Sequence, residues 1–247
     1  MQLFPGAQTL DLEMQGFGGS SVVHPVLLTG EDGATLVDTG FPGQGPSLEA
    51  ALKAQGLAMS DIDRVILTHQ DIDHIGNLPA LAAGGATVFA HRLEAPYIAG
   101  RERLLKFNPE RMQKMLERLP EAAKAQFQKL MSDPPKADVD VLLEDGEELP
   151  LYGGIRVIHT PGHTPGHISL YFPAHHLLIS GDAMRVVNGQ LEGPSPEATP
   201  DLPTALASLR KLPDDVDYVL AYHGGLFGPR ASQRLRELQG STTPRLI

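Results

Sequence analysis

The 247-residue sequence predicts helices packed outside a mixed or parallel β-sheet, and three observations carry that expectation. Two strand-to-helix steps follow one another, at 34–55 and 63–83, and parallel strands need such crossovers with helices covering the sheet. Short strands return between 138 and 180 after a charge-rich helical block. Apolar residues make up 41% of the chain, with no run near eighteen, which suits a globular chain long enough to bury a core. This length fits one domain over 1–247, with a helical insert at about 92–137.

Taken in order, residues 8–14, 22–28 and 34–38 read as strands separated by the glycine turns Gly16-Phe17-Gly18-Gly19 and Gly30-Glu31-Asp32-Gly33. The third strand ends in Asp38-Thr39-Gly40. An acid there either caps a turn or points at a site, and taken alone the turn is the commoner role. Ser47–Gln55 carries Leu48, Ala51, Leu52 and Ala54 at helical spacing and stops at Gly56. Strand 63–68, helix 75–83 and strand 86–90 follow. In the insert, Met112, Met115, Leu116 and Leu119 share one helical face, as do Phe127, Leu130 and Met131. That stripe reads either as an amphipathic pair on the sheet or as a lid or homodimer contact beside a site. Pro134-Pro135 ends the block. Strands 138–143, 147–151, 154–159, 166–172 and 176–180 come next, then a proline-rich loop from Gly193 to Pro200, helix 201–211, strand 216–221 and a last helix from Pro229 to Leu238. A polar tail follows Gly240.

The chemistry concentrates in Thr68-His69-Gln70-Asp71-Ile72-Asp73-His74-Ile75-Gly76, which follows the apolar run Val65-Ile66-Leu67. In extended chain His69 and Asp71 point to one side and can grip one metal. Asp73 and His74 sit where the chain turns into a helix and can address a second point nearby. Imidazole nitrogen and carboxylate oxygen serve zinc, iron and manganese alike. The bland reading is a capped helix start with solvated histidines. Further on, Thr160-Pro161-Gly162-His163-Thr164-Pro165-Gly166-His167 is a loop stiffened by prolines that presents His163. The strand ending at Ser180 runs into Gly181-Asp182, and the strand ending at Ala221 runs into Tyr222-His223. Seven ligand-type residues at strand ends are hard to explain as solvated surface and fit a two-metal site.

Composition narrows the chemistry. Zero cysteines remove disulfides, thiol nucleophiles and thiolate ligands, so only His, Asp and Glu remain to hold a metal. A net charge of −10 argues against a general nucleic-acid binder, which needs a basic face. The first fifteen residues lack a basic stretch and a long apolar stretch, so the expectation is a cytoplasmic protein with no membrane partner, acting on a small molecule.

The arrangement of His69, Asp73 and His74, His163 in its Gly-His turn, Asp182 and His223 resembles the metallo-β-lactamase superfamily across nearly the whole chain, and Asp38-Thr39-Gly40 matches its early acidic turn. The resemblance implies a four-layer αββα sandwich of the α+β class, two mixed sheets face to face with helices on the outer faces. It implies that His69, Asp71 and His163 hold one divalent metal, that Asp73, His74 and His223 hold another, and that Asp182 bridges them. Such a pair of ions, zinc first, supplies a shared hydroxide for hydrolysis. Asp73 or Tyr222 would then protonate the leaving group, and Asp38 would orient a ligand imidazole. His159 and His167 flank the His163 turn as structural or orienting residues, while His24, His91, His175 and His176 read as ordinary.

One position departs from the family pattern. Asp71 stands where a second histidine is usual, and a carboxylate tilts the first site toward iron or manganese. The absent cysteine ligand, the length and the acidic balance point to a compact lactonase-like hydrolase of a small ester, lactone or thioester. A diiron redox or oxygen-sensing protein, and a degenerate metal-binding protein without turnover, are the alternatives that Asp71 keeps open.

Overall fold

The computed structural model describes residues 1–16, 19–106 and 109–240. Phe17 and Gly18 of the first glycine turn, Phe107 and the tail after Gly240 lie outside the described residues, as does the side chain of Met115.

The first half of the chain lays down β1 (Gln2–Phe4), β2 (Ala7–Thr9), β3 (Leu12–Gly16), β4 (Gly19–Val23), β5 (Val26–Gly30), β6 (Gly33–Val37), β7 (Arg64–Leu67), β8 (Thr87–His91) and β9 (Val141–Leu143). All but the β3 and β4 hairpin form one seven-stranded sheet in the order β1-β2-β5-β6-β7-β8-β9. Its β6 to β9 edge is parallel and the rest antiparallel. Next come β10 (Glu148–Leu149), β11 (Ile155–His159), β12 (Ile168–Phe172), β13 (Leu177–Gly181), β14 (Arg185–Val187), β15 (Gln190–Glu192), β16 (Tyr218–Ala221) and β17 (Gly225–Phe227). A second sheet runs β10-β11-β12-β13-β16-β17, antiparallel except between β13 and β16.

Side-chain alternation turns these sheets into layers, because neighbours along a strand face opposite sides. Leu28, Val37 and Ile66 of the first sheet meet Val157, Leu170, Phe172 and Leu220 of the second in one buried cluster between the sheets. The alternate residues Leu27, Leu36, Val65 and Leu67 pack outward on Leu48 and Leu52 of α1 (Gly45–Lys53) and on Leu78 and Leu81 further along. On the other side Ile158, Tyr171, Leu178 and Val219 pack outward against Leu209, Leu212 and Leu235. Strands buried on both faces explain why β6, β7 and β13 read as continuous apolar runs and not as alternating ones. Each such side chain contributes about 1.5–3 kcal/mol on burial. The result is an αββα sandwich of two mixed sheets.

The helix expected over 75–83 is two pieces, α2 (Ile72–Ile75) and α3 (Leu78–Ala83). Gly76 separates them where the chain presses on the 40–42 backbone: a Cβ there would lie 2.2 Å from the carbonyl carbon of Phe41. Asn77 completes the break by donating its side-chain amide to the carbonyls of Thr39 (2.6 Å) and Phe41 (3.2 Å). The insert holds α4 (Ala95–Ile98), α5 (Pro109–Arg118) and α6 (Glu121–Ser132). Met112, Leu119 and Phe127 are buried in the outer cluster of the first sheet, as an amphipathic pair would be. α7 (Leu202–Ser208) and α8 (Ala231–Gly240) cover the second sheet; the latter starts two residues later than the sequence suggests. Among the described residues no helix is long and apolar enough to cross a membrane.

Candidate metal centre

Parallel strands deliver their carboxyl ends to one edge of each sheet, and the ligand-type residues leave from those ends. β7 ends at Leu67, so Thr68 to His74 run along the edge of the first sheet. His163 comes from the loop between β11 and β12, Asp182 directly follows β13, and His223 lies between β16 and β17. His223 is further pinned by a bridge from Val23 and by its carbonyl, which accepts from Val186 N (3.0 Å).

All seven predicted residues converge. Donor atoms of His69, Asp71, His163 and Asp182 lie within 4.8 Å of one another, and so do those of Asp73, His74 and His223. His163 Nε2 is 3.0 Å from Asp71 Oδ2, and His223 Nε2 is 3.1 Å from Asp73 Oδ2. Asp182 stands between the groups: one oxygen is 3.1 Å from His163 Nε2 and 3.5 Å from His223 Nε2, and the other is 3.4 Å from His74 Nε2.

Hydrogen bonds behind the centre test whether these residues fit a metal. The Asp38 carboxylate accepts from Thr68 N and Thr68 Oγ1 (both 2.8 Å) and from His74 Nδ1 (2.9 Å). With its proton given to Asp38, the Thr68 hydroxyl is left to accept from His69 Nδ1 at 3.0 Å. Both imidazoles therefore commit Nδ1 to this network and turn Nε2 inward, the orientation a metal ligand needs. His69 Nε2, His74 Nε2 and Asp182 Oδ1 are buried with no hydrogen-bond partner among the described residues. Buried polar atoms normally find partners, so these orphans, one from each half and one between them, fit bound cations. Asp38 thus takes the orienting role expected of it, in a left-handed conformation (φ 59°) that aspartate tolerates.

Charge follows the same logic. Burial, joined by the His74 imidazole, drives His69 down to about 4. Burial opposes protonation of His223 too, but the Asp182 and Asp73 carboxylates outweigh it and carry His223 up to about 10. Asp182 works against its own burial, held well below the usual carboxylate range by His223, His74 and His163. The centre is a knot of carboxylates and imidazoles held by shared protons that a divalent cation would displace.

The His163 loop is shaped by Gly162, whose φ of 128° and a would-be Cβ 2.3 Å from Ala205 N leave room for glycine only. His167 is an orienting residue: its Nε2 accepts from the Asp182 amide (2.9 Å), and its Nδ1 donates to Thr160 Oγ1 (2.9 Å). Tyr222 departs from its expected role as proton donor. Its hydroxyl donates to the Asp73 carbonyl and accepts from Gly40 N (3.1 Å), and its ring lies 3.8 Å from that of His74. With its proton committed to the backbone, Tyr222 positions the ligand loop.

Sequence reasoning missed Glu94 and Lys106. Fully buried Glu94 accepts from the amide (2.9 Å) and side chain (3.0 Å) of Gln70 and from Gly166 N (2.6 Å), clamping the two ligand loops together. Like the ligands it follows a strand, β8, but three residues beyond its end. Lys106, from the insert, reaches Asp71 and His163.

His159 ties its Nε2 to the carbonyl of Pro165 (2.8 Å) and stacks on His91 at 4.2 Å. His91 is buried and accepts from Leu93 N at Nδ1 (3.3 Å), and burial lowers it to about 4. A histidine held neutral favours folding above the unfolded value near 6.5, and that contribution is lost as pH falls toward 4. Replacing His91 by glutamine is expected to flatten the drop in Tm between pH 6.5 and 4 by roughly 2–4 °C, read by thermal scans. An unchanged slope would show that His91 does not set the acid sensitivity.

A family model described as the metallo-beta-lactamase superfamily matches residues 18–224. The chain belongs to the metallo-β-lactamase superfamily. Probable metallo-hydrolase YflN of Bacillus subtilis (strain 168) is 31% identical over 76% of this chain and 74% of its own length. Hydroxyacylglutathione hydrolase of Aeromonas hydrophila is 30% identical over 76% of this chain and 56% of its own. The crystal structure of the metallo-beta-lactamase family protein TTHA1429 from Thermus thermophilus superposes with a TM-score of 0.73 at 26% identity, covering 96% of this chain and 79% of that one.

Proposed function

We propose that this member of the superfamily is a metal-dependent hydrolase of a small ester, lactone or thioester with an apolar acyl part. One observation carries the reading: the polar centre forms the floor of an open cavity of about 260 Å³ whose walls are apolar. Asp71, Asp73, Asp182 and His223, with Lys106 against Asp71, form its polar floor, and Phe41, Ile72, Leu104, Met112, Phe127 and Ala198 surround it. Such a site grips a hydrocarbon chain while presenting its carbonyl to charge. Three of those walls belong to the insert or its entry, which supports a lid role. The thioester hydrolase and metallo-hydrolases among its relatives agree with the reaction class.

His69, Asp71 and His163 would hold one divalent ion, Asp73, His74 and His223 a second, with Asp182 between them. Ions held there would supply a nucleophilic water at neutral pH and polarise a bound carbonyl. Zinc suits either half, each with two imidazoles and one carboxylate, and Asp71 in place of the family's usual histidine widens the choice at the first to iron or manganese. The protein's own part is proton transfer and exclusion of water. The Asp73 carboxyl lines the cavity and stays ionised despite burial because His74 and His223 flank it. It takes the proton of the attacking water and returns it to the leaving oxygen or sulfur.

The test is turnover of aryl esters, lactones and acyl thioesters of increasing chain length by chelator-stripped and zinc- or manganese-loaded protein. The expected result is hydrolysis by the loaded protein only, with KM falling as the chain lengthens to fill the cavity. A loaded protein that turns over none of them, or an iron-coloured one without turnover, would sink the proposal.

A further inference from the structure

The two halves of the centre differ in one respect that the ligand pattern does not show. The ammonium of Lys106 donates to Asp71 Oδ2 and lies 2.6 Å from His163 Nε2. An ammonium has three donors and no lone pair, so Lys106 stands against those two atoms as a cation. It therefore occupies the place that an ion gripped by Asp71 and His163 in the first half would need. In the other half, no lysine or arginine pairs with Asp73 or Asp182 among the described residues. Lys106 is mostly buried, and its backbone is held close by the neighbouring amide of Leu105, which donates to Gln70 Oε1 at 2.9 Å. It also lines the cavity, so its flexible stem has room to swing away from Asp71.

We propose that Lys106 is the resident cation of the first half-site: it competes with a metal for Asp71 and His163, so the chain loads one ion tightly in the Asp73, His74 and His223 half and a second only when Lys106 withdraws. The inference rests on the metal-centre reading above and deepens it. Charge balance points the same way. A carboxylate at position 71 adds a negative charge to a buried cluster, and a buried charge must be paired. Lysine is suited to a place that must be vacated, as a point charge on a mobile stem and not a fixed bidentate fork. Because Lys106 belongs to the insert that walls the cavity, occupancy of the first half is tied to where the insert's entry lies.

The experiment is titration of chelator-stripped full-length protein with Zn²⁺ by calorimetry, with metal content read by plasma mass spectrometry, for wild type and Lys106→Met. The expected result is a tight first ion in both and a second ion bound about ten- to a hundredfold more tightly by the variant, the range that partners of metal ligands command. The tight first ion is an internal control for folding. If Lys106→Met loses it, Lys106→Gln, with a neutral polar head on a shorter stem, decides the matter. Equal affinities for both ions in wild type and the deciding variant would overturn the inference while leaving the metal centre standing. No binding by either would overturn both.

Discussion

Asp182→Asn is expected to lower kcat/KM for metal-dependent hydrolysis by about a thousandfold, the equivalent of about 4 kcal/mol of charge stabilisation. Asp182 reaches toward His163 and His223 with one oxygen and toward His74 with the other, so it serves both halves at once. Asparagine keeps the shape but removes the charge and puts an NH₂ where one of the two oxygens pointed. Metal content should fall in parallel. The backbone should be spared, because His167 holds the amide of residue 182 and not its side chain. Retention of activity within about tenfold of wild type, together with full metal content, would remove Asp182 from the centre.

Asp38→Ala is expected to cost about 3–5 kcal/mol of stability, the effect of breaking a buried charged network from one side. Its carboxylate is 1% exposed and is the shared acceptor of Thr68 N, Thr68 Oγ1 and His74 Nδ1. Removing it leaves those donors buried without partners and frees His74 to rotate. Alanine also fits poorly at a φ of 59°. A fall in Tm of about 10 °C should accompany a ten- to hundredfold loss of metal affinity. A stability change below about 1 kcal/mol by urea denaturation would show that the network is dispensable.

Much of this was legible in the sequence because the signals are local. Strands buried on both faces read as apolar runs, and the residues just past them are the candidate ligands because the carboxyl ends of parallel strands meet at one edge. Asp182 could be placed at that edge from its position after a strand, whereas Asp38 alone read as a turn residue and joined the site through the family resemblance. Residues whose role depends on distant partners were not legible. Glu94 looks like an ordinary helix-start acid until the fold brings Gly166 beside it. Lys106 is one lysine in a charge-rich block until the insert lays it on Asp71. Tyr222 sits next to a ligand and reads as a proton donor, yet side-chain direction at a strand end sends its hydroxyl to the Asp73 carbonyl. The hairpin of β14 and β15 was readable: Asn188-Gly189, at φ 50° and 73°, is the strongest two-residue turn signal, in a stretch to which the sequence reading assigned no element.

The division of donors between sheets has a mechanical consequence. His69, Asp71, Asp73 and His74 hang from the first sheet, while His163, Asp182 and His223 hang from the second. A chain without cysteine has no covalent fastener to keep its layers from parting. An ion gripped from both sides would do that work as a removable rivet. It binds only when both halves of the polypeptide have docked, so its affinity adds wholly to the assembled state, about 2.7 kcal/mol at a hundredfold excess over Kd. Removing the ion would loosen the seam between the layers before either layer melts.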